Sequence, residues 1–282
     1  MIKVKIEVLE KESVQIYRMS TLDLQGKPFM WVSAYLIDGL LIDCGHHHAS
    51  YELLKALNFD TLEFAVLSHH HEDHFGACHE LINKFKIPVY ATKETAFLVR
   101  MNLRLPPERK LVWGIPVPPR VYQLQNLREI NTSIAKFEIL HSPGHCRNLI
   151  SFYHKKKRLL FSTDCFIDNQ QSVIFNWENA NKMLETLKDL KRLNFKFVFL
   201  ENGNLATPHD LEDLVKYWTD LKSKSHELHL KGYSSKQIVK QIFGKESIFK
   251  KMTGGDLSRE NLIRSLLNLP PLDIRYKRKK RI

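Results

Sequence analysis

The sequence predicts a mixed α/β fold with a helical C-terminal extension. Short apolar runs rich in β-branched residues recur over the first 200 residues, which is the pattern of buried strands. Segments with apolar residues at helical spacing lie between these runs. After residue 200 the helical pattern continues and no strand pattern follows. The first 200 residues therefore supply enough strands for two sheets, and we expect only helices beyond them.

The individual elements follow from these patterns in chain order. Strands are predicted at residues 4–8, 31–37, 40–44, 64–67, 134–140, 149–153, 159–161 and 195–200. Helices are predicted between them at residues 51–57, 78–85, 94–101 and 179–193. The last of these helices carries Met183, Leu187 and Leu190 on one face, as a helix that packs against a core requires.

Three further helices are predicted in the C-terminal part of the chain. Thr207 as N-cap and Pro208 at the first helical position begin a helix of about 20 residues. Ser234 or Ser235 caps the next helix and Gly244 ends it, and a third helix covers residues 257–267. We therefore expect a catalytic domain at residues 1–211, a helical extension at 212–274 and a disordered tail at 275–282.

Composition narrows the class of protein. The chain of 282 residues is 43% hydrophobic and 26% charged, as expected of a soluble globular protein. It contains no apolar stretch near the roughly 18–20 residues that span a bilayer and begins without a signal peptide, so we expect a cytoplasmic protein. The four cysteines are scattered and form no CxxC pair, which excludes a disulfide scaffold and a zinc-finger site.

The net charge of +12 is concentrated at the C-terminus. Six of the last eight residues are basic, namely Arg275, Lys277, Arg278, Lys279, Lys280 and Arg281. Such a tail is either a solvated terminus or a segment that attracts nucleic acid or an anionic membrane surface.

The densest cluster of chemically active side chains is LSHHHEDHFGA, residues 67–77. It follows a predicted strand and has the spacing His69-x-His71-x-Asp73-His74. Imidazole and carboxylate groups are the ligands that zinc prefers, but zinc sites draw their ligands from more than one segment. Two other predicted strands also end in such residues, His145 after Pro143-Gly144 and Asp164 after residues 159–161. Together these residues predict a metal site, with material for two ions.

These motifs, with LLIDCG at residues 40–45, resemble the metallo-β-lactamase superfamily over about residues 30–215. The resemblance implies a four-layer αββα sandwich and a metal-bound water that hydrolyses the substrate. It also implies the ligand sets: one ion is held by His69, His71 and His145, the other by Asp73 and His74, with Asp164 between them. Asp73 is the expected catalytic residue, and Asp43 is expected to form structural hydrogen bonds beside the metal loop.

One position departs from the family pattern. The family usually has Gly-His-Gly after the strand at residues 195–200, and its histidine binds the second ion; this chain has Asn202 in that place. Asn202 is therefore a tentative ligand of the second site, with His209 as the alternative. An amide oxygen binds zinc more weakly than imidazole does, so we expect one or two zinc ions, with iron or manganese as alternatives.

Asp164 and His71 narrow the range of activities expected within the superfamily. By resemblance, an aspartate shared between two ions is typical of the glyoxalase II-like, lactonase-like and nuclease branches and not of true β-lactamases, and His71 disfavours the diiron flavoprotein branch. We therefore expect cleavage of an ester, thioester or lactone bond in a small molecule. The alternatives are a metal-dependent ribonuclease that uses the basic tail, a single-iron oxidoreductase resembling persulfide dioxygenases, and an inactive binding protein. The helical extension can cover the cleft or form a homodimer contact.

Overall fold

The fold is described by a computed structural model that covers residues 2–101 and 104–272. The chain forms two compact units. The first consists of residues 2–142, Asn148–Ile167 and Asn194–Pro208, and the second of Pro143–Arg147, Asp168–Leu193 and residues 209–272. The predicted basic tail at 275–282 lies outside the described residues, and the predicted boundaries at 211 and 274 remain predictions.

The first unit contains a large mixed sheet. Its described strands are β1 (Val4–Lys11), β2 (Val14–Thr21), β3 (Val32–Ile37), β4 (Leu40–Ile42), β5 (Phe64–Val66), β6 (Val89–Ala91) and β7 (Tyr122–Gln123), hydrogen-bonded in that order. Strands β1 to β4 are antiparallel neighbours, whereas β4 to β7 run parallel. The carboxyl ends of the parallel strands therefore meet at one edge of the sheet.

A second sheet completes the first unit. Its described strands are β8 (Glu129–Asn131), β9 (Lys136–His141), β10 (Ile150–His154), β11 (Leu159–Thr163), β13 (Phe197–Leu200) and β14 (Leu205–Ala206). They are ordered β14-β13-β11-β10-β9-β8, and β11 and β13 are parallel while the other neighbours are antiparallel.

Two apolar cores stabilise this unit. The core between the sheets joins residues of both, with Tyr35, Phe161 and Phe199 in mutual ring contact at centroid distances of 4.8–5.5 Å. The other core lies where helices α1 (Ser50–Ala56), α2 (Cys78–Asn83) and α3 (Lys93–Leu98) contact the first sheet. A further helix, α4 (Pro107–Trp113), follows, with proline at its first turn.

The second unit is mainly helical. Its helices are α5 (Ala180–Leu190), α6 (Pro208–Leu230), α7 (Ser235–Phe243), α8 (Ile248–Met252) and α9 (Arg259–Leu266), and its strands β12 (Ile174–Phe175) and β15 (Leu257–Ser258) pair with each other. Ser234 caps α7 through a capping box, and Gly244 ends that helix at a φ of 74°, as the sequence predicts. No helix of the described chain has the length and apolar character needed to cross a membrane.

The structure confirms the predicted mixed α/β class and the C-terminal helices. The expectation that no strand follows residue 200 is wrong, because β14 and β15 form there. Both are only two residues long and exist through pairing with strands β13 and β12, which a local pattern does not show. The predicted helix at 257–267 begins instead at Arg259, because Leu257–Ser258 is the strand β15 and Ser258 is the N-cap.

Candidate metal centre

The candidate ligands follow the carboxyl ends of parallel strands in both sheets. In the first sheet Ile42 pairs with Val66, so Asp43 and the loop that begins at Leu67 leave the same edge. In the second sheet Thr163 pairs with Leu200, so Asp164 and the next residue after β13 leave the same edge. Loops at the carboxyl edge of parallel strands are where α/β proteins build their sites.

The first group of potential ligands contains His69, His71 and Asp164, whose ligand atoms lie within 4.8 Å of one another. His69 is fully buried and Asp164 is 5% exposed. The Nε2 atom of His69 is 3.7 Å from Oδ2 of Asp164. The loop after β5 and the end of β11 are thus brought together as the sequence predicts.

A second group consists of Asp73, His74 and Glu201, again with ligand atoms within 4.8 Å of one another. Nε2 of His74 is 3.0 Å from Oδ1 of Asp164 and 3.9 Å from Oδ2 of Asp73. The two carboxylate oxygens of Asp164 therefore face His69 and His74 respectively. This is the arrangement expected of a carboxylate shared by two ions.

Asp43 orients the histidines through hydrogen bonds. Its Oδ1 accepts the backbone N–H of Ser68 at 2.8 Å, and its Oδ2 accepts the Ser68 hydroxyl at 2.7 Å. Nδ1 of His74 lies 2.9 Å from Oδ2 of Asp43, so Nδ1 donates to Asp43 and Nε2 is the nitrogen that faces Asp164. Because the Ser68 hydroxyl donates to Asp43, its oxygen accepts from Nδ1 of His69 at 2.9 Å. The predicted structural role of Asp43 agrees with these contacts.

His145 is also oriented through its Nδ1 atom. It is 3% exposed, and Nδ1 lies 2.5 Å from Oε1 of Glu178. The other carboxylate oxygen of Glu178 accepts the backbone N–H of Phe175 at 2.5 Å. Carboxylates that hold a histidine in this way fix its tautomer and ring direction. No sequence pattern indicates Glu178 as the partner, because it is distant from His145 along the chain.

An ion pair beside Asp73 was likewise not anticipated. Glu72 is 1% exposed and accepts two hydrogen bonds from Arg109 of α4, at 2.5 Å from Nε and 2.9 Å from Nη2. The Nη2 atom of Arg109 is also 3.8 Å from Oδ1 of Asp73. Glu72 therefore holds the guanidinium group of Arg109 next to the carboxylate of Asp73, the candidate catalytic residue.

A family comparison identifies the fold. Residues 31–200 match the model of the metallo-beta-lactamase superfamily, which is more than half of the chain. The chain belongs to the metallo-β-lactamase superfamily. Its expected class, a metallo-hydrolase of that superfamily, is confirmed, and the histidine and aspartate ligands suit the metals that this fold binds. The match ends at Leu200, immediately before the position where the family pattern is broken.

Individual relatives agree with this assignment. A hydroxyacylglutathione hydrolase from Bdellovibrio bacteriovorus is 24% identical over 243 residues, covering 80% of this chain and 87% of that protein. One from Bartonella henselae is 28% identical over 153 residues, covering 54% of this chain and 52% of that protein. The chain thus spans little more than half the length of several curated relatives, including a beta-lactamase-like protein 2 homolog from Caenorhabditis elegans at 52%.

A solved structure supports the fold over nearly the whole chain. The beta-lactamase domain protein from Burkholderia ambifaria superposes with a TM-score of 0.64 at 17% identity, covering 92% of this chain and 86% of that one. At this identity the likeness shows the fold alone. The αββα class expected from the sequence is thereby confirmed.

The metallo-β-lactamase pattern is broken at the turn that follows β13. Oδ1 of Asn202 accepts the backbone N–H of Asn204 at 3.0 Å, and Nδ2 donates to the carbonyl oxygen of Ile167 at 3.4 Å. The neighbouring Glu201 has its carboxylate with Asp73 and His74. The tentative assignment of Asn202 as a ligand remains a prediction.

His209, the alternative considered from the sequence, lies on α6. Its side chain is 79% exposed, and its Nε2 is 3.8 Å from Oδ2 of Asp213 one turn later. These contacts are those of a surface residue on a helix.

The negative charge of the site shifts two pKa values. Burial disfavours the charged form of His74, but the carboxylates of Asp164 and Asp43 outweigh burial and hold the pKa of His74 well above its usual value. Burial, followed by the nearby charge of Asp164, raises the pKa of the Glu201 carboxyl group well above its usual value. Both shifts show a concentration of negative charge that a bound cation would balance.

Proposed function

We propose that the chain is a binuclear metal-dependent hydrolase that cleaves an ester, thioester or lactone bond in a small molecule. His69, His71 and His145 would hold the first ion, and Asp73 and His74 the second, with Asp164 shared by both. The observation that carries this proposal is the placement of Asp164, whose two oxygens face His69 and His74.

The donor atoms fit divalent cations such as zinc. Imidazole nitrogens and carboxylate oxygens are the usual zinc ligands, and zinc is the ion we propose. The Nδ1 atoms of His69, His74 and His145 are each engaged by a hydrogen-bonding partner, so Nε2 is the ligand atom in all three. Among the described residues, Oδ1 of Asp73 is buried and forms no hydrogen bond, as expected of an atom that binds an ion.

The chemistry follows from these positions. When bound by these residues, a divalent ion would supply Lewis-acid chemistry: it would polarise the electrophilic carbon–oxygen bond and lower the pKa of a water to about 7. Asp73 is placed to accept a hydrogen bond from the attacking water and to orient it. Asp43 holds His74 through Nδ1, and Glu178 holds His145 in the same way, so neither ring needs to reorient during the reaction.

The class of bond rests on the relatives. Two of the relatives are named hydroxyacylglutathione hydrolases, that is, hydrolases of a small-molecule thioester. The second group of ligands supports two ions and argues against the single-iron oxidoreductase. The ribonuclease alternative depends on the tail at 275–282, which lies outside the described residues. A cytoplasmic location and a homodimer remain predictions.

A substrate panel tests the proposal. Purified protein, loaded with zinc, would be assayed with thioesters, lactones, a phosphodiester, single-stranded RNA and a persulfide in the presence of oxygen. We expect hydrolysis of thioesters or lactones that is abolished by His69→Ala and by chelation. Oxygen consumption with a persulfide and one iron per chain would contradict the proposal, and so would cleavage of RNA alone.

A further inference from the structure

The position of Glu201 follows from strand register. Strands β11 and β13 are parallel neighbours, and Thr163 pairs with Leu200. The residues that follow these two, Asp164 and Glu201, therefore leave the same edge of the sheet side by side. Glu201 and Asp164 thus have the same local setting, since each is a carboxylate directly after a buried parallel strand.

The Glu201 carboxylate meets the residues that we assign to the second ion. Its ligand oxygen lies within 4.8 Å of the ligand oxygen of Asp73 and of the ligand nitrogen of His74. With Asp164 at 3.0 Å and Asp43 at 2.9 Å from His74, the site gathers four carboxylates around one imidazole. Asp73 and His74 are buried and Glu201 is half-buried. Gathering that many like charges away from water is unfavourable unless a cation balances them.

Asn202 forms hydrogen bonds within and around the turn that follows β13. Besides the contacts of its side chain to Asn204 and Ile167, its carbonyl oxygen accepts Nε of Arg18 at 3.0 Å. Gly203 then has a φ of 81°, and a Cβ atom there would lie 2.3 Å from the Arg18 side chain. These contacts give Asn202 a structural function in the turn.

We propose that Glu201, and not Asn202, is the ligand that replaces the usual histidine of the second ion. This inference rests on the proposed binuclear function. The second ion would then have one nitrogen ligand and three carboxylates, whereas the first would have three histidines and the shared Asp164. Harder cations such as Mn²⁺ prefer oxygen donors, so the two sites differ in metal selectivity.

Metal binding by four variants tests this inference without an activity assay. Metal-free full-length protein would be titrated separately with Zn²⁺ and Mn²⁺ by calorimetry, and the bound metal counted by elemental analysis after dialysis. The variants are Glu201→Ala, Glu201→Gln, Glu201→His and Asn202→Ser. The last is the matched control, because a serine hydroxyl can still accept the N–H of Asn204 and keep the turn. Circular dichroism of each metal-free variant confirms folding.

We expect wild type and Asn202→Ser to bind two ions per chain. Glu201→Ala should weaken the second ion by at least about 10–100-fold and leave the first in place, with a smaller loss for Glu201→Gln. Glu201→His should lower the preference of the second site for Mn²⁺ over Zn²⁺ by about tenfold or more.

Two results would overturn the inference: a second ion that binds Glu201→Ala as tightly as wild type, or one that is lost only in Asn202→Ser. Failure of the proposed function looks different. If Glu201→Ala loses the second ion but the wild-type protein hydrolyses no substrate, the ligand assignment stands and the proposed hydrolase function is refuted.

Discussion

Replacing Asp43 by asparagine should weaken both the metal centre and the fold. Asp43 accepts three hydrogen bonds, two from Ser68 and one from His74, and is 2% exposed. Asparagine has nearly the same shape and tolerates the left-handed conformation that Asp43 adopts at a φ of 59°. Its amide group, however, offers one oxygen where the carboxylate offers two, so donors from Ser68 or His74 lose their acceptor.

The size of the effect follows from these contacts. A hydrogen bond to a charged group contributes about 1.5–3 kcal/mol, so losing one or two should lower the free energy of unfolding of the metal-free protein by about 2–4 kcal/mol. Without Asp43 as acceptor, His74 can carry its proton on Nε2, the nitrogen that we assign to the metal. Loss of such a partner typically weakens metal binding by about 10–100-fold.

Asp38→Asn is a matched control for this substitution. Asp38 precedes β4 as Asp43 follows it, has a φ of 46°, and also contacts a histidine, with Oδ2 at 3.0 Å from Nε2 of His154. Urea unfolding of the metal-free proteins and calorimetric titration with Zn²⁺ would compare the two. Unchanged zinc affinity in Asp43→Asn, or an equal loss in Asp38→Asn, would refute the assigned role of Asp43.

Four further predictions concern other parts of the structure. Glu178→Gln should lower zinc affinity by about 10–100-fold, since it removes the charged partner of His145, and titration of the first ion would show this. Arg109→Ala should destabilise the metal-free protein by about 3–5 kcal/mol in urea unfolding, because it leaves the buried Glu72 without its cation; an unchanged midpoint would contradict this. Burial, reinforced by the nearby charge of His48, lowers the pKa of His46 to about 3 in the folded protein. Below about pH 6.5 the unfolded chain therefore binds a proton at His46 that the folded chain does not bind. As the pH decreases, the free energy of unfolding should fall faster in wild type than in His46→Asn, by up to about 1.4 kcal/mol per pH unit. Urea midpoints that change equally in the two proteins between pH 7 and 5 would argue against this. Chelation should lower the thermal midpoint of the loaded protein in proportion to metal bound, because the ions bind only the folded chain.

The sequence predicted those parts of the fold that depend on local pattern. The runs at β3, β4, β5, β10 and β11 are buried throughout or nearly so, and continuous burial produces a continuous apolar sequence. Strand β2 escaped prediction because Arg18 and other polar residues interrupt it. Arg18 is accommodated by Glu7 at 3.2 Å and by the face of Trp31 at 4.5 Å, contacts that only the folded chain supplies.

The candidate site was predictable where ligands share one motif or follow a recognisable strand. His69, His71, Asp73 and His74 lie in a single loop, and Asp164 follows an apolar strand. Glu201 was overlooked because the family pattern directed attention to Asn202, one residue later. The available signal was the carboxylate directly after the apolar run FVFL, but only the pairing of Thr163 with Leu200 shows that it lies beside Asp164.

The residues that orient the ligands were harder to predict than the ligands. Glu178 reaches His145 across 33 positions of sequence, and Arg109 reaches Glu72 across 37. Neither pair has a characteristic spacing, because a loop crossing of any length can bring them together. Such partners are determined by tertiary structure.

Anomalous diffraction from crystals of the zinc- and manganese-loaded protein tests the central claim most directly. We predict two anomalous peaks per chain on either side of the Asp164 carboxylate. One peak should lie about 2.0–2.2 Å from ligand atoms of His69 and His71, and the other at similar distances from His74, Asp73 and Glu201. A single peak, or a second ion bound through Asn202 with Glu201 turned away, would contradict the account.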